Sequence, residues 1–439
     1  MAVPLAVLLL PFLQLGLSFY ASVSTLAAAL CLAAATGLRG FLTLRIFACL
    51  FVVWAMLATA ALHPLADSHD LLRAGREALC FLMIIALLRR KIVLNPNQAR
   101  LALRCLGLVA LGLALLVIAQ TIGLQRGVFV SLPHDLYVIN TNTLPTDLDL
   151  RHSRVRPSGP FGEPSYLAAV ATVLVLALSP LWPVSALARG IILVLALATF
   201  LSLSMLGLVS MSAALALILL RHGDRRQGLL FVTVLAAGAA GAALAGGEIS
   251  ERIGAILRGE DFSFASRIAT PLLALPRVLG EAPFGIPIRV FLDMGYLPGM
   301  DLANESFSHN AIFNTLINYG VIGMAMLAVL FLSARGGIPW AILFVLLMQN
   351  GAFWSFDKVS LLAVSVILHR MALGQISGSN KAQRFVSRPL PKLVHNVSAP
   401  ENGRGKHADI ASDSDGGSGL WRPDRRDFRH YPLPGRTGT

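Results

Sequence analysis

Apolar runs about 20 residues long recur along the chain, such as "LALRCLGLVALGLALLVIAQTIGL" at 101–124 and "GLLFVTVLAAGAAGAALAGG" at 228–247, and that is the length a helix needs to cross the hydrocarbon of a bilayer. Lipid offers no hydrogen-bond partners to the backbone, so only helices and closed barrels span it. A barrel would show short segments of alternating apolar and polar residues, and none appear. With 56% of residues hydrophobic, 13% charged and a mean hydropathy of +0.70, the chain carries more apolar surface than a soluble core can hide. The fold class is therefore an all-α polytopic membrane protein.

Reading the runs between breaks predicts about twelve transmembrane helices, at 2–19, 22–36, 41–62, 78–88, 101–123, 164–180, 190–204, 207–220, 228–246, 309–333, 338–350 and 357–373. The opening run "MAVPLAVLLLPFLQLGLSFY" has no basic n-region and no cleavage site before a soluble domain, so it reads as the first span, not a removed signal. A cytoplasmic N-terminus places Arg39, "RRK" at 89–91, Arg189, "RHGDRR" at 221–226 and Arg335 on one side. That is the positive-inside pattern, and it makes both termini cytoplasmic. Two long polar segments, about 125–163 and 247–308, then fall on the external face. From about residue 375 the chain turns rich in Ser, Gly, Pro and charge, which divides it into a transmembrane domain, 1–374, and a disordered basic tail, 375–439.

The net charge of +13 is what cytoplasmic arginines produce in a membrane protein, so nucleic acid is not expected as a partner. Cys31, Cys49, Cys80 and Cys105 lie in or beside apolar runs without metal-ligand spacing and read as small core residues. P-loop, GxSxG and HExxH motifs are all missing.

The external segments break the charge rule. One carries Arg126, Arg151, Arg154 and Arg156, the other Arg252, Arg258, Arg267, Arg277 and Arg289. Acids such as Asp147, Asp149, Glu260 and Asp261 could balance them, or some could bind an anion. The sharpest stretch is "RVRPSGPFGEPSYLAA", 154–169. Pro164 suits the first position of a helix, whose positive dipole end then faces the external surface. Gly159 and Gly162 allow a tight turn that comes close to a ligand, Pro157 and Pro160 stiffen it, and Arg154 and Arg156 present guanidinium groups to the same spot. Such a turn is a seat for phosphate, or else a helix entry with two solvated arginines. Glu163 reads as a carboxylate favoured at a helix N-terminus or bridging to an arginine.

In "SFSHNAIFNTLINYGVIG", 306–323, Ser308 is expected to cap a helix and place His309 in its first turn. Asn310, Asn314 and Asn318 recur every fourth residue and share one face, which must look into the bundle or a wet cavity. Those amides could equally join helices, whereas His309 at a cavity mouth is a candidate base or donor. Residues 263–280 suggest an amphipathic surface helix ended by "APFG". "DLD" at 147–149 has a spacing used by metal-dependent glycosyltransferases but arises often by chance, "HDLLRAGRE" at 69–77 reads as a short external turn, and Asp357 and Lys358 could pair with each other.

Three signals in order, R-x-S-G-x-F-x-E-P-S-Y from Arg156, Ser266–Arg267 followed by "PFG", and His309–Asn310 before "YGVIG", resemble the O-antigen ligase and polymerase family of bacterial surface-polysaccharide assembly. The similarity spans roughly 150–325, and "EPSY" looks closer to the Wzy-type polymerases than to the ligases. The resemblance implies a GT-C-type membrane glycosyltransferase that works without bound metal, nucleotide or other cofactor. Its substrate would be an oligosaccharide on polyprenyl (undecaprenyl) pyrophosphate, at the periplasmic face of the inner membrane, with a chain-length regulator and a flippase as expected partners. It also implies that Arg156 and Arg267 contact phosphate and that His309 is the functional histidine, as catalytic residues. Arg154, Gly159, Glu163, Tyr166, Asn310 and Asn314 would bind substrate. The crowded "RHSRVRP" run departs from the family pattern, since Arg154 or Arg151 could take the place of Arg156. Rival readings are a ligase with a lipid A core or protein as acceptor, and a flippase. A flippase needs polar groups along a central path and often a two-fold repeat, whereas here they gather on one face.

Overall fold

A computed structural model describes residues 2–15, 22–34, 44–63, 68–89, 95–130, 155–222, 254, 258, 268, 270–287, 310–334, 336–349 and 353–386. The regular secondary structure among these residues is helical, with no β-strand. The helices are α1 Ala2–Leu8, α2 Val23–Ala34, α3 Leu44–Leu62, α4 Ser68–Arg89, α5 Pro96–Gln125, α6 Pro164–Leu178, α7 Ala186–Leu201, α8 Met205–His222, α9 Thr270–Glu281, α10 Ala311–Ser333, α11 Gly337–Leu347 and α12 Phe356–Val386. Four of them, α5, α6 with its following turn, α8 and α10, are long and apolar enough to cross a membrane by themselves.

Composition explains the packing order. Helix α6, "PSYLAAVATVLVLAL", is apolar all round, and every residue from Ser165 to Leu178 is buried. It is the central helix, with α7, α8, α11 and α12 packed about it. Helices α3, α4, α9 and α10 form the neighbouring wall, with α12 bridging to α4. At one end of α4, the last carbonyls, of Leu87 and Leu88, accept from Arg370 at 3.1 and 2.5 Å. Arg89 donates to Ser333 Oγ at 3.1 Å there. A cation over orphan carbonyls completes a helix C-terminus.

Several expectations change. The first run does not make one long helix: Pro11 lacks an amide donor, and α1 gives way to a 3-10 turn at Leu10–Phe12. "HDLLRAGRE" is no turn but the start of α4, where Asp70 lies in the first turn and Arg73 pairs with Glu77 one turn later at 2.8 Å. Helix α12 continues beyond 374 to Val386. The expected span at 228–246 and the first part of the amphipathic segment lie outside the described residues. The remainder of that segment is α9, whose Arg277 pairs with Glu281 at 3.0 Å on the surface.

"PFG" and "YGVIG" form one structural unit. Helix α10 breaks at Gly320 (φ 52°, ψ −127°), and the segment after α9 docks on the break. Ile286 N–H donates to Ile317 C=O at 2.8 Å, and Val321 N–H to Pro283 C=O at 2.9 Å. A Cβ on Gly320 would stand 2.0 Å from Pro283 O, and one on Gly285 (φ 92°) 2.4 Å from the main chain of Asn318. Backbone strain alone costs on the order of 1–3 kcal/mol at such a site, before the clash. Gly320→Ala and Gly285→Ala are therefore expected to lower the amount and thermal midpoint of the inserted protein. Gly112→Ala, with nothing within 4 Å of its new Cβ, leaves both unchanged in a fluorescence-detected stability assay.

Candidate functional site

The turn "VRPSGPFG" is held from inside the bundle by two glutamines. Gln120 of α5, fully buried, accepts the N–H groups of Ser158 and Gly159 at 3.0 and 2.7 Å. Its Nε2 donates to the carbonyls of Gly159 and Val130, both at 2.8 Å. Gln14 accepts the N–H of Gly162 at 2.9 Å. Gly159 takes the left-handed φ of 65° that the turn requires. Its N–H and C=O both belong to Gln120, so the main chain here is occupied by the protein instead of opening as a cradle for an anion.

Arg156 is partly buried, and its Nη1 donates at 3.3 Å to the carbonyl of Leu203, in the link between α7 and α8. Leu203 has a φ of 51°, the one left-handed non-glycine residue among the described residues. Arg156 thus ties the turn to a second helix junction. Glu163 has the extended backbone of an N-cap, with Pro164 first in α6, as expected. Its side chain makes no cap bond and accepts from Ser165 Oγ at 2.9 Å.

Tyr166, one turn into α6, donates to Asp357 Oδ2 at 2.9 Å and packs on Phe161. Asp357 also accepts from Ser355. Lys358 pairs with Asp357, as expected, its Nζ standing 4.0 Å from Oδ2. It is 2% exposed, donates to Gln349 Oε1, and lies 4.5 Å over the ring of Tyr166. A buried ammonium is costly unless surrounded by acceptors and π-density, and this cluster supplies both.

Asn310, not Ser308, caps α10: its side chain accepts from Ile312 N–H at 2.9 Å while its Nδ2 contacts Met348 Sδ at 3.6 Å. His309, the residue before the cap, lies outside the described residues. Asn314 is buried, with no partner for its Oδ1, and the same holds for Asn318 Oδ1 and Gln349 Nε2. Trp354 Nε1 donates to Thr315 Oγ1 at 3.0 Å and packs edge-on against Phe81, joining α10, α12 and α4. Beyond lies Glu77, 1% exposed, which accepts from Tyr319 Oη at 2.8 Å as well as from Arg73.

Of the sequence candidates, Tyr166, Glu163, Gly159 and Arg156 meet around the start of α6, while Asn310 and Asn314 belong to the start of α10. Arg154, Arg267, His309 and the "DLD" acids lie outside the described residues. Sequence reasoning passed over Gln120, Gln349, Glu77 and Tyr319. Their signal was available: single polar residues inside apolar runs, as in "LVIAQTIG", are costly in lipid and tend to be functional.

The model of the WcaD colanic acid polymerase family matches residues 2–371. The chain belongs to that family. No curated protein matches it. The WcaD match supports the reading of a Wzy-type exopolysaccharide polymerase and makes the chain a polysaccharide polymerase of the membrane.

Gln120→Leu would strand two N–H groups and one carbonyl of the turn, each worth about 1–3 kcal/mol when buried unpaired, and release the carbonyl of Val130 as well. Limited proteolysis of the purified variant is expected to cut near 155–163 where the wild type resists, with polymer yield reduced in cells.

Proposed function

We propose that the chain polymerises an exopolysaccharide from lipid-linked repeats. It would transfer the glycan of one polyprenyl-pyrophosphate-linked oligosaccharide to a sugar hydroxyl of another, at the periplasmic face of the bacterial inner membrane. The observation that carries this is the family match across almost the whole transmembrane region. The linking of the first turns of α6, α10 and α12 by buried polar side chains supports it. Twelve spans, both termini cytoplasmic, and a GT-C-type architecture with the tail from 375 as a separate segment belong to the same proposal. So do a flippase delivering the repeats and a chain-length regulator beside the enzyme.

The chemistry assigns roles. The acceptor oxygen attacks the anomeric carbon, the bond to the pyrophosphate oxygen breaks, and the leaving group takes the electron pair. Arginine suits the developing charge, because its planar guanidinium grips two phosphate oxygens at once and stays charged. Arg156, a few residues before the start of α6, where the helix dipole is positive, is assigned the first grip, and Arg267 the second. Arg154 is the alternative to Arg156. His309, adjoining the cap of α10, accepts the proton of the acceptor hydroxyl or orients the diphosphate. The single displacement inverts the anomeric configuration. Glu163, already bonded to Ser165, is assigned to positioning, and Tyr166, held by Asp357 and Lys358, is a wall of the site.

In a deletion strain, Arg156→Ala, Arg267→Ala and His309→Ala are each expected to abolish polymer, at least 100-fold, with the protein abundant in the membrane. Single repeat units then accumulate on the polyprenyl carrier, sized by gel and mass spectrometry of the extracted glycans. Arg126→Ala and Arg252→Ala reduce polymer less than about threefold, short of the 1.4 kcal/mol that a tenfold loss represents. Full-length polymer stranded on the carrier would instead mark a ligase, and normal polymer in His309→Ala would move the site elsewhere.

A further inference from the structure

Between α3, α4, α10 and the segment docked at the Gly320 break lies a cavity of about 30 Å³ lined by Thr59, Asp70, Arg73, Pro287, Asn318 and Tyr319. We propose that this cavity is a sugar subsite that receives a hydroxyl or hydroxymethyl group of the polymerase's glycan substrate, apart from the groups that hold the diphosphate. The proposal rests on the polymerase reading above.

Size and hydrogen-bond chemistry both point to a hydroxyl. A volume of this order holds about one water-sized group. The lining is rich in acceptors: the Asp70 carboxylate, and Asn318 Oδ1, which is buried with no donor to it. Thr59 spends its proton on Ala55 C=O at 2.6 Å, so its oxygen too has only lone pairs to offer the cavity. The cationic lining group, Arg73, gives its Nε to Glu77. A phosphate oxygen brings no proton for Asn318 Oδ1 and meets Asp70 as a like charge beside an Arg73 already paired with Glu77, whereas a sugar hydroxyl brings that donor and can also accept from the remaining N–H groups of Arg73. A buried acceptor left unmatched costs about 1–3 kcal/mol, which a bound hydroxyl recovers.

The walls are fixed. Tyr319 is pinned through its hydroxyl to Glu77 at 2.8 Å, and Ile286 N–H to Ile317 C=O at 2.8 Å sets Pro287 opposite Asn318. Asn318 shares its face of α10 with Asn314 and Asn310. At about 1.5 Å rise per residue it lies about 12 Å along the axis from the cap, so a glycan with its reacting end near residue 310 would reach the cavity with a sugar farther along its chain.

The test uses the purified full chain in detergent and, as probe, the repeat oligosaccharide released from the strain's own polymer, free of lipid and phosphate. Calorimetry is expected to show binding to the wild type, at least tenfold weaker in Asn318→Leu and several-fold weaker in Asp70→Asn, and inorganic pyrophosphate does not displace the probe. Asp70 lies in the first turn of α4, so Asp70→Asn keeps the fold if Asn318→Leu disturbs the nearby break. Wild-type affinity in Asp70→Asn together with folded Asn318→Leu, displacement by pyrophosphate, or no binding to the wild type at millimolar probe would overturn the subsite. Turnover of lipid-linked repeats in the same preparations separates the two claims. A wild type that polymerises, with both variants at unchanged KM, sinks the subsite alone. A wild type that binds the probe yet makes no polymer sinks the polymerase reading and leaves the sugar site standing.

Discussion

Gln120 is the residue on which the arrangement most depends. Irregular backbone cannot stand in lipid with its polar groups unpaired, and the turn before α6 carries two glycines and two prolines that make no helix of their own. A single buried amide answers two N–H groups and two carbonyls, and Gln14 answers a third N–H. With the turn fixed, α6 begins where Pro164 stands, Tyr166 reaches Asp357, and Arg156 is aimed at the α7–α8 link. The main chain of the turn is thereby taken up by structure, and the Arg156 guanidinium ties it to a second helix junction.

The second constraint is buried charge. Lys358 sits among Gln349, the ring of Tyr166 and Asp357, and Glu77 sits between Tyr319 and Arg73. Each cluster joins helices distant in sequence, α6 with α12 and α4 with α10. Trp354, bonded to Thr315 and packed on Phe81, lies between them. Together they link the first turns of α6, α10 and α12 to the middle of α4, while Arg89 and Arg370 serve the C-terminal end of α4.

Much of the fold was legible because hydrophobic length is a strong signal: the runs that become α3, α5, α6, α8 and α10 were placed within a few residues. The helix entry at Pro164 and the left-handed turn at Gly159 followed from residue chemistry. What failed was local competition. Asn310 outcompeted Ser308 as the cap, Pro11 cut the first helix short, and the polar first turns of α4 read as a loop because their charges and Gly75 outweigh the i,i+4 spacing of Arg73 and Glu77. The partners of the site were hidden for the same reason, since nothing in one sequence says that Gln120 meets Gly159 or that "PFG" docks on "YGVIG". Tyr166 and Arg156 were legible through their motif, and Lys358 only as a charge beside another.

The central claim is tested most directly by reconstituting the purified chain alone in liposomes with synthetic polyprenyl-pyrophosphate-linked repeat units. The account predicts a ladder of glycans, each step one repeat longer, with one polyprenyl pyrophosphate released per bond formed and no divalent metal or nucleotide required. Repeats that only cross the bilayer, unjoined and with no pyrophosphate released, would contradict it.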